Sequence, residues 1–299
     1  KKGLTMFQKL RKSKKLLLVA MACATFAIAG CGSDTTKNAA DNGNAVTWSE
    51  TFDGTKTDFA VKSSPTHAVS MSQATTEMML QLGLEDKMAG TAFKEEEIYP
   101  PLQAAYDKVK VLSDKWPSYE VFMSVKPDFA TGWPDSFSKR AIPADKMIAQ
   151  KVNIWLPESM LSTKADLETN FNDMIKLGEI FGVKPKAEEW VAGQRKTLAA
   201  IQDKLKDLPR KRVFIYDSED GQPFTAFEGY TTNILKLIGA DNVMSGLGVD
   251  KTWAKGSWET VIAQNPDYII IADYGTSIRN DDDFQQKIEK IKANPQLQD

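Results

Sequence analysis

The chain has 299 residues, 42% of them hydrophobic and 26% charged, with 38 Lys and Arg against 40 Asp and Glu. That balance is typical of a folded globular protein of about two domains. It shows none of the basic excess with which nucleic-acid binders neutralise phosphates, which argues against that class.

The first 30 residues differ from the rest, with seven Lys or Arg and no acid. Behind Lys14-Lys15 runs the apolar stretch "LLLVAMACATFAIAG", Leu16–Gly30. Its apolar residues would make a helix of about 21 Å, short of the roughly 30 Å hydrocarbon core of a bilayer. A basic head, a short apolar centre and small residues at the end read as a secretory signal over 1–30. Ile28-Ala29-Gly30-Cys31 resembles a bacterial lipobox, in which the chain is cut before the Cys and the thiol is acylated. The expected location is therefore outside the cytoplasmic membrane, on its outer face or in the periplasm, held by lipid on Cys31 and not by a span. Without the signal, 31 basic residues face 40 acidic ones, a net charge near −9. Cys23 leaves with the signal, so the exported body has no thiol for a disulfide, a thiolate metal site or a nucleophile.

Residues 31–64 are rich in Ser, Thr, Asn, Asp and Gly, and read as a tether with one short extended piece near "AVTWSETF". Structure is expected from residue 65. "THAVSMS" reads as a strand, followed by a helix from about Ala74 to Gly83, a left-handed stop. "KMAGTAF" is a second strand, and "YPPLQAAYDKV" a Pro-started helix. After a helix near Ser118 come the strands "DFATGW" and "VNIWL". Ala165 to Phe181 is a helix closed by Gly182. From Pro185 to about Leu208, apolar residues keep a three-or-four spacing through Ala187, Trp190, Val191, Leu198, Ile201, Leu205 and Leu208, the mark of one long amphipathic helix.

"KRVFIYD" then restarts the pattern. A helix over Thr231–Ile238 follows, then the strand "DYIIIAD" and an amphipathic helix "DDDFQQKIEKIK". Strands alternating with helices indicate parallel α/β units. The expected fold is α/β, with an N-terminal lobe (65–185), a single interlobe helix (186–208) and a C-terminal lobe (209–299). The second lobe is the shorter, and reads as truncated.

One phrase occurs twice. "SYEVFMSVKPD" (Ser118–Asp128) returns about 140 residues later as "SWETVIAQNPD" (Ser257–Asp267). In each, Ser stands where a helix N-cap is wanted and Glu falls in the first turn, near the positive end of the dipole. Pro-Asp ends the helix ahead of a strand. Matched carboxylates, Glu120 and Glu259, one per lobe, suit a partner with two basic sockets.

With "AVSMSQATTEMMLQLGLEDKMAGTAF", "LGEIFGVKPKAEEW" and "GYTTNILKLIGADNV", these phrases resemble the substrate-binding lipoproteins of ABC importers for iron–siderophores, haem and cobalamin, over residues 65–299. The resemblance implies two lobes bridged by one helix, a ligand cleft between them, and docking of Glu120 and Glu259 on Arg pockets of the permease dimer, which works with an ATPase. It implies capture of a ferric siderophore, with a corrinoid, haem or another organic cofactor as the alternative, and no catalytic cofactor.

For the cleft, Trp133 and Trp253 are the leading candidates, because flat apolar surfaces grip large chelates. Phe93, Tyr99 and Trp155 are secondary. Lys94, Lys139, Arg140 and Lys251 stand near the expected loops as cations for an anionic siderophore. His67, the single histidine, argues against a bare zinc or manganese site, which gathers several. No P-loop, G-x-S-x-G, H-E-x-x-H or dinucleotide fingerprint occurs. No residue is assigned to catalysis or to a metal, and a secreted enzyme is the weaker alternative.

Overall fold

The computed structural model describes residues 45–273 and 284–297. The signal segment, Cys31 and the first residues of "DDDFQQKIEKIK" lie outside the described residues. The rest belongs to one compact unit, Gly43–Asp299.

Part of the expected tether is ordered. Val46–Phe52 (β1) and Thr55–Val61 (β2) form an antiparallel hairpin in the register Val46↔Val61 to Phe52↔Thr55. Its two-residue turn, Asp53-Gly54, has positive φ at both positions (47° and 78°), matching the twist of the strands. Alternation drives the pairing: Trp48 stacks on Phe59 at 5.7 Å, and the Trp48 Nε1–H donates to the Ile154 carbonyl at 2.7 Å. Composition hid this hairpin, because every second residue faces water and is polar. The N-terminal lobe therefore includes residues 46–61.

The lobe is built on a five-stranded parallel sheet in the order β5-β4-β3-β6-β7. Its strands are Ala68–Ser70 (β3), Met88–Ala92 (β4), Val111–Ser113 (β5), Phe129–Thr131 (β6) and Asn153–Trp155 (β7). Between them run Gln73–Gln81 (α1), Gln103–Tyr106 (α2), Tyr119–Ser124 (α3) and Ala144–Ala149 (α4). The pleat sends alternate residues to opposite faces. Ala68, Phe129 and Trp155 join the core under α1 and the following helix Leu167–Ile180 (α5). Val69, Ala130 and Ile154 join a second core with Phe59, Phe122 and Met147.

The long helix Lys184–Leu205 (α6) starts with Pro in its first turn, as its sequence requires. It packs on α5 at close range: a Cβ on Gly178 would lie 2.7 Å from that of Ala187. Trp190 meets Phe171 edge-on at 6.1 Å. The packed stripe stops after Val191. Ile201 is 40% exposed and Leu208, just past the helix, 60%, so the regular spacing continues past the surface that covers it.

The C-terminal lobe has a parallel sheet in the order β11-β8-β13, from Lys211–Tyr216 (β8), Ala240–Asn242 (β11) and Tyr268–Ile271 (β13). Beside it is a small antiparallel sheet of Ser218–Asp220 (β9), Gln222–Ala226 (β10) and Trp253–Lys255 (β12). The helices are Tyr230–Leu237 (α7), Trp258–Gln264 (α8) and Phe284–Ala293 (α9).

The repeated phrase plays the same structural part in both lobes. Ser118 Oγ accepts from the Val121 N–H at 3.3 Å and Ser257 Oγ from the Thr260 N–H at 3.1 Å. The Asp128 carboxylate accepts the N–H groups of Thr66 and His67, at the head of β3 (2.8 and 3.0 Å). Asp267 likewise accepts the Arg212 N–H in β8 (2.8 Å). Each Pro-Asp thus ties its own strand to the neighbour it pairs with: β6 to β3, and β13 to β8.

Candidate ligand-binding site

Parallel strands present ligand-facing loops at their carboxyl ends. In the N-terminal lobe, Trp133 lies two residues past β6 and Ser159-Met160 four past β7, with Ala74 and Met78 on α1. In the C-terminal lobe the wall comes instead from the antiparallel sheet: Glu228 follows β10, Tyr230 and Thr231 open α7, Thr252 precedes β12 and Trp253 opens it. These residues and Asn170 enclose a cavity of about 500 Å3 drawn from both lobes, within the range of small-molecule sites.

The lobes meet closely at its edge. Gly229 has φ +87°, and a Cβ there would come within 3.1 Å of the Ser162 carbonyl oxygen and 2.9 Å of the Thr252 methyl. Asn233 Nδ2 donates to the Ala165 carbonyl at 2.8 Å across the same junction. The Glu228 carboxylate accepts from the Gly246 N–H at 2.7 Å and the Ser245 hydroxyl at 3.0 Å. Burial, and then the nearby Asp173 carboxylate, push the Tyr230 hydroxyl above its usual pKa.

The loop carrying Ser159 and Met160 is clamped by two buried acids. Asp173 on α5 accepts the Glu158 and Ser159 N–H groups, each at 2.9 Å. Glu50 on β1 accepts the Leu156 N–H at 2.9 Å. Burial raises both carboxylates, and Glu158 adds repulsion; Glu50 is pushed up to about 7.

Of the expected ligand residues, Trp133 and Trp253 both line the cavity; Trp253 also stacks against Phe224 at 6.3 Å. Phe93 lies in an adjoining hollow that shares Trp133 as a wall. Tyr99, 56% exposed, stands in an outer groove that shares Ala74, Met78 and Asn170 with the cavity. Trp155 is corrected: the pleat of β7 turns it into the core, where it is 4% exposed. Among the described residues, the cavity wall includes no Lys, Arg or His. Arg140 is paired with Asp135 at 2.6 Å, and Lys94, Lys139 and Lys251 are exposed. His67 sits on the surface beside Thr66. No group of three or more His, Cys, Asp or Glu that could hold a metal occurs among the described residues.

The sequence reading missed Glu228, Tyr230, Met78, Met160 and Asn170. Gly229 was the available signal, because glycine is the residue that left-handed and close-approach backbone positions take. The others come from helices and loops whose convergence no local pattern records.

Glu120 and Glu259 are exposed in the first turns of α3 and α8. Its own amide and the Ser118 hydroxyl hold the Glu120 carboxyl below its usual pKa.

Two α/β lobes joined by one long helix, with a cavity between them lined from both sides, define a bilobal solute-binding protein. Residues 69–299 match the model of the periplasmic binding protein family, and the chain belongs to that family, whose members serve ABC importers outside the cytoplasmic membrane. A crystal structure of a periplasmic binding protein from Veillonella parvula DSM 2008 is 96% identical, with TM-score 0.82 over 86% of this chain and 87% of that one. An ABC transporter substrate-binding lipoprotein of Bacillus subtilis (strain 168), YvrC, is 26% identical over 88% of this chain and 82% of its own length. A vitamin B12-binding protein of Vibrio vulnificus (strain YJ016) is 23% identical over 75% of this chain and 77% of its own. No helix among the described residues is long and apolar enough to cross a membrane.

Proposed function

We propose that this protein captures an organic metal chelate outside the cytoplasmic membrane and delivers it to an ABC permease. Cys31 carries the lipid that holds it there, and Glu120 and Glu259 dock on basic pockets of the permease dimer, which an ATPase drives. The cargo class is a ferric siderophore of the hydroxamate type or a corrinoid. The carrying observation is the cavity itself: Trp133, Trp253 and Tyr230 offer aromatic surface from both lobes, while its charged wall residue is an acid, Glu228. Burying an anion without a cationic partner costs several kcal/mol. That cost disfavours carboxylate-rich cargo such as haem or ferric citrate, and leaves neutral and cationic chelates. The vitamin B12 named for the Vibrio relative belongs to the neutral group.

The test is tryptophan fluorescence of the protein from residue 32 onward, titrated with a ferric trihydroxamate, cobalamin, haem and ferric citrate. One-to-one saturable quenching by one of the first two is expected. In Trp133→Ala, affinity for that chelate falls about 10- to 100-fold, the effect of removing one aromatic anchor. Binding of haem or ferric citrate alone, or of none of the four, overturns the cargo assignment.

A further inference from the structure

A groove of about 630 Å3 adjoins the cavity and shares Ala74, Met78 and Asn170 with it. Helical spacing builds it. Side chains four residues apart stand on one face of a helix, and three helices each give such a pair. They are Ala74 and Met78 on α1, Asn170 and Met174 on α5, and Trp190 and Gln194 on α6. Gln81, a turn past Met78, carries the α1 row about 10 Å along the helix from Ala74.

The walls are fixed by the core. Met174 is buried, Met78 and Trp190 pack against the core of the lobe, and Trp190 meets Phe171 edge-on. The remaining wall is Tyr99 and the turn Pro100–Leu102 after it. Glu77 anchors that turn: its Oε1 accepts the Tyr99 N–H at 3.1 Å and a Gln73 amide N–H at 2.9 Å.

Two kinds of chemistry line the groove. Met78, Leu102, Met174 and Trp190 are apolar, and the methionines adapt to irregular shapes. Gln81, Asn170 and Gln194 add three carboxamides, which make no side-chain hydrogen bond to the protein among the described residues. Each can donate and accept at once, as the N–H and C=O groups of an amide chain require.

Charge selects neither sign. Among the described residues the lining includes one charged side chain, Glu77, already engaged at Oε1. Neighbouring charges are mixed: Lys94, Glu96 and Glu97 in the loop before Tyr99, Lys186 and Glu189 on α6, and the Arg195–Glu168 pair. An anionic occupant would face Glu77 with no cation in the lining, which is costly where water is displaced.

We propose that this groove is a subsite for an uncharged, amide-bearing arm of the cargo, reaching from the cavity along the face of α1. Met78, Met174 and Trp190 supply its apolar surface, and Gln81, Asn170 and Gln194 hydrogen-bond its amides. The inference rests on the cargo reading above in taking the arm to belong to the transported chelate.

The probe for the groove alone is N-acetyl-leucine methylamide, a neutral diamide, against the anion N-acetyl-leucine and the cation leucine methylamide. Each is titrated into the protein from residue 32 onward, without chelate, and followed by the side-chain amide signals of Gln81 and Gln194 in 1H–15N NMR. The diamide should shift both signals saturably in the millimolar range, at least about threefold more tightly than either charged probe. Gln81→Leu and Gln194→Leu break no hydrogen bond described within the protein, and each should weaken the diamide about 2- to 10-fold, read from the glutamine that remains. Circular dichroism establishes that both variants are folded. The proposal is overturned if the diamide shifts neither signal, if a charged probe binds as tightly, or if neither substitution lowers its affinity.

On the cargo, Gln194→Leu should weaken a linear ferric trihydroxamate with an acetylated terminal amine about 2- to 10-fold. It should leave a cyclic ferric trihydroxamate, which has no free arm, within about twofold; equal effects on the two overturn the assignment of the arm to the cargo. Failure of every chelate in the earlier panel would sink the cargo reading and leave the diamide result standing, so the two failures are separable.

Discussion

Replacing Glu50 by glutamine should make the protein more stable at pH 8. Glu50 is 7% exposed and its carboxyl is pushed from 4.5 up to about 7, first by burial and then by the charges of Glu158 and Asp173, against the pull of the Leu156 N–H. The folded chain therefore holds this proton more tightly than the unfolded chain does. Between pH 4.5 and about 7 folding takes up a proton, so stability falls as pH rises through that window and levels off above it. A shift of about 2.5 units at 1.36 kcal/mol each puts the cost of the buried anion at up to about 3 kcal/mol. Burial raises the Asp173 carboxyl as well, which steepens the same slope.

Glutamine keeps the shape and still accepts the Leu156 N–H through its carbonyl oxygen, but carries no charge into the clamp. Urea unfolding at pH 5 and pH 8 should find Glu50→Gln within about 1 kcal/mol of the parent at the lower pH and up to about 3 kcal/mol more stable at the higher. The slope of stability between them should flatten. Equal destabilisation at both pH values would refute the reasoning, because it would mean that the carboxylate is held in the fold as a favoured anion.

Glu120→Ala and Glu259→Ala should leave cargo affinity within about twofold and impair uptake by cells, most in the double variant; a fall in affinity in the purified protein would refute the docking role. Gly229→Ala sets a side chain at φ +87° against the Ser162 carbonyl, and should cost about 1–3 kcal/mol in chemical denaturation while weakening cargo binding; a neutral result would show that the lobes yield there. Asp128→Ala removes acceptors for two backbone N–H groups and Asp267→Ala for one. Losses of about 1–3 kcal/mol are expected, larger for the first, and equal effects would argue against the strand-tying role.

Much of the architecture was legible because its signals are local. Ser118 and Ser257 cap the helices their positions suggest, and Gly83, Gly182 and Gly239 stand just past helix ends with positive φ. Apolar runs such as "KRVFIYD" lie between helices at the spacing of parallel units. Trp133 was readable as a cavity-wall residue because it stands in a loop after a parallel strand; Trp253, in the antiparallel strand β12, was signalled by the resemblance alone. The hairpin at 46–61 escaped, although Asp53-Gly54 between alternating residues announces it, because a polar average hides a strand with one wet face.

By itself the sequence determined the alternation of strands and helices and the two copies of one structural phrase, because each depends on neighbours a few residues apart. Only the tertiary structure decided that Trp155 serves the core, that the apolar stripe of α6 outruns its partner, and that Glu228 and Tyr230 face Trp133 across the cavity. It also decided that Tyr99, Asn170 and Trp190 share one groove. Those facts depend on which side of a pleat a residue takes and on where distant loops converge, and chain separation carries no record of either.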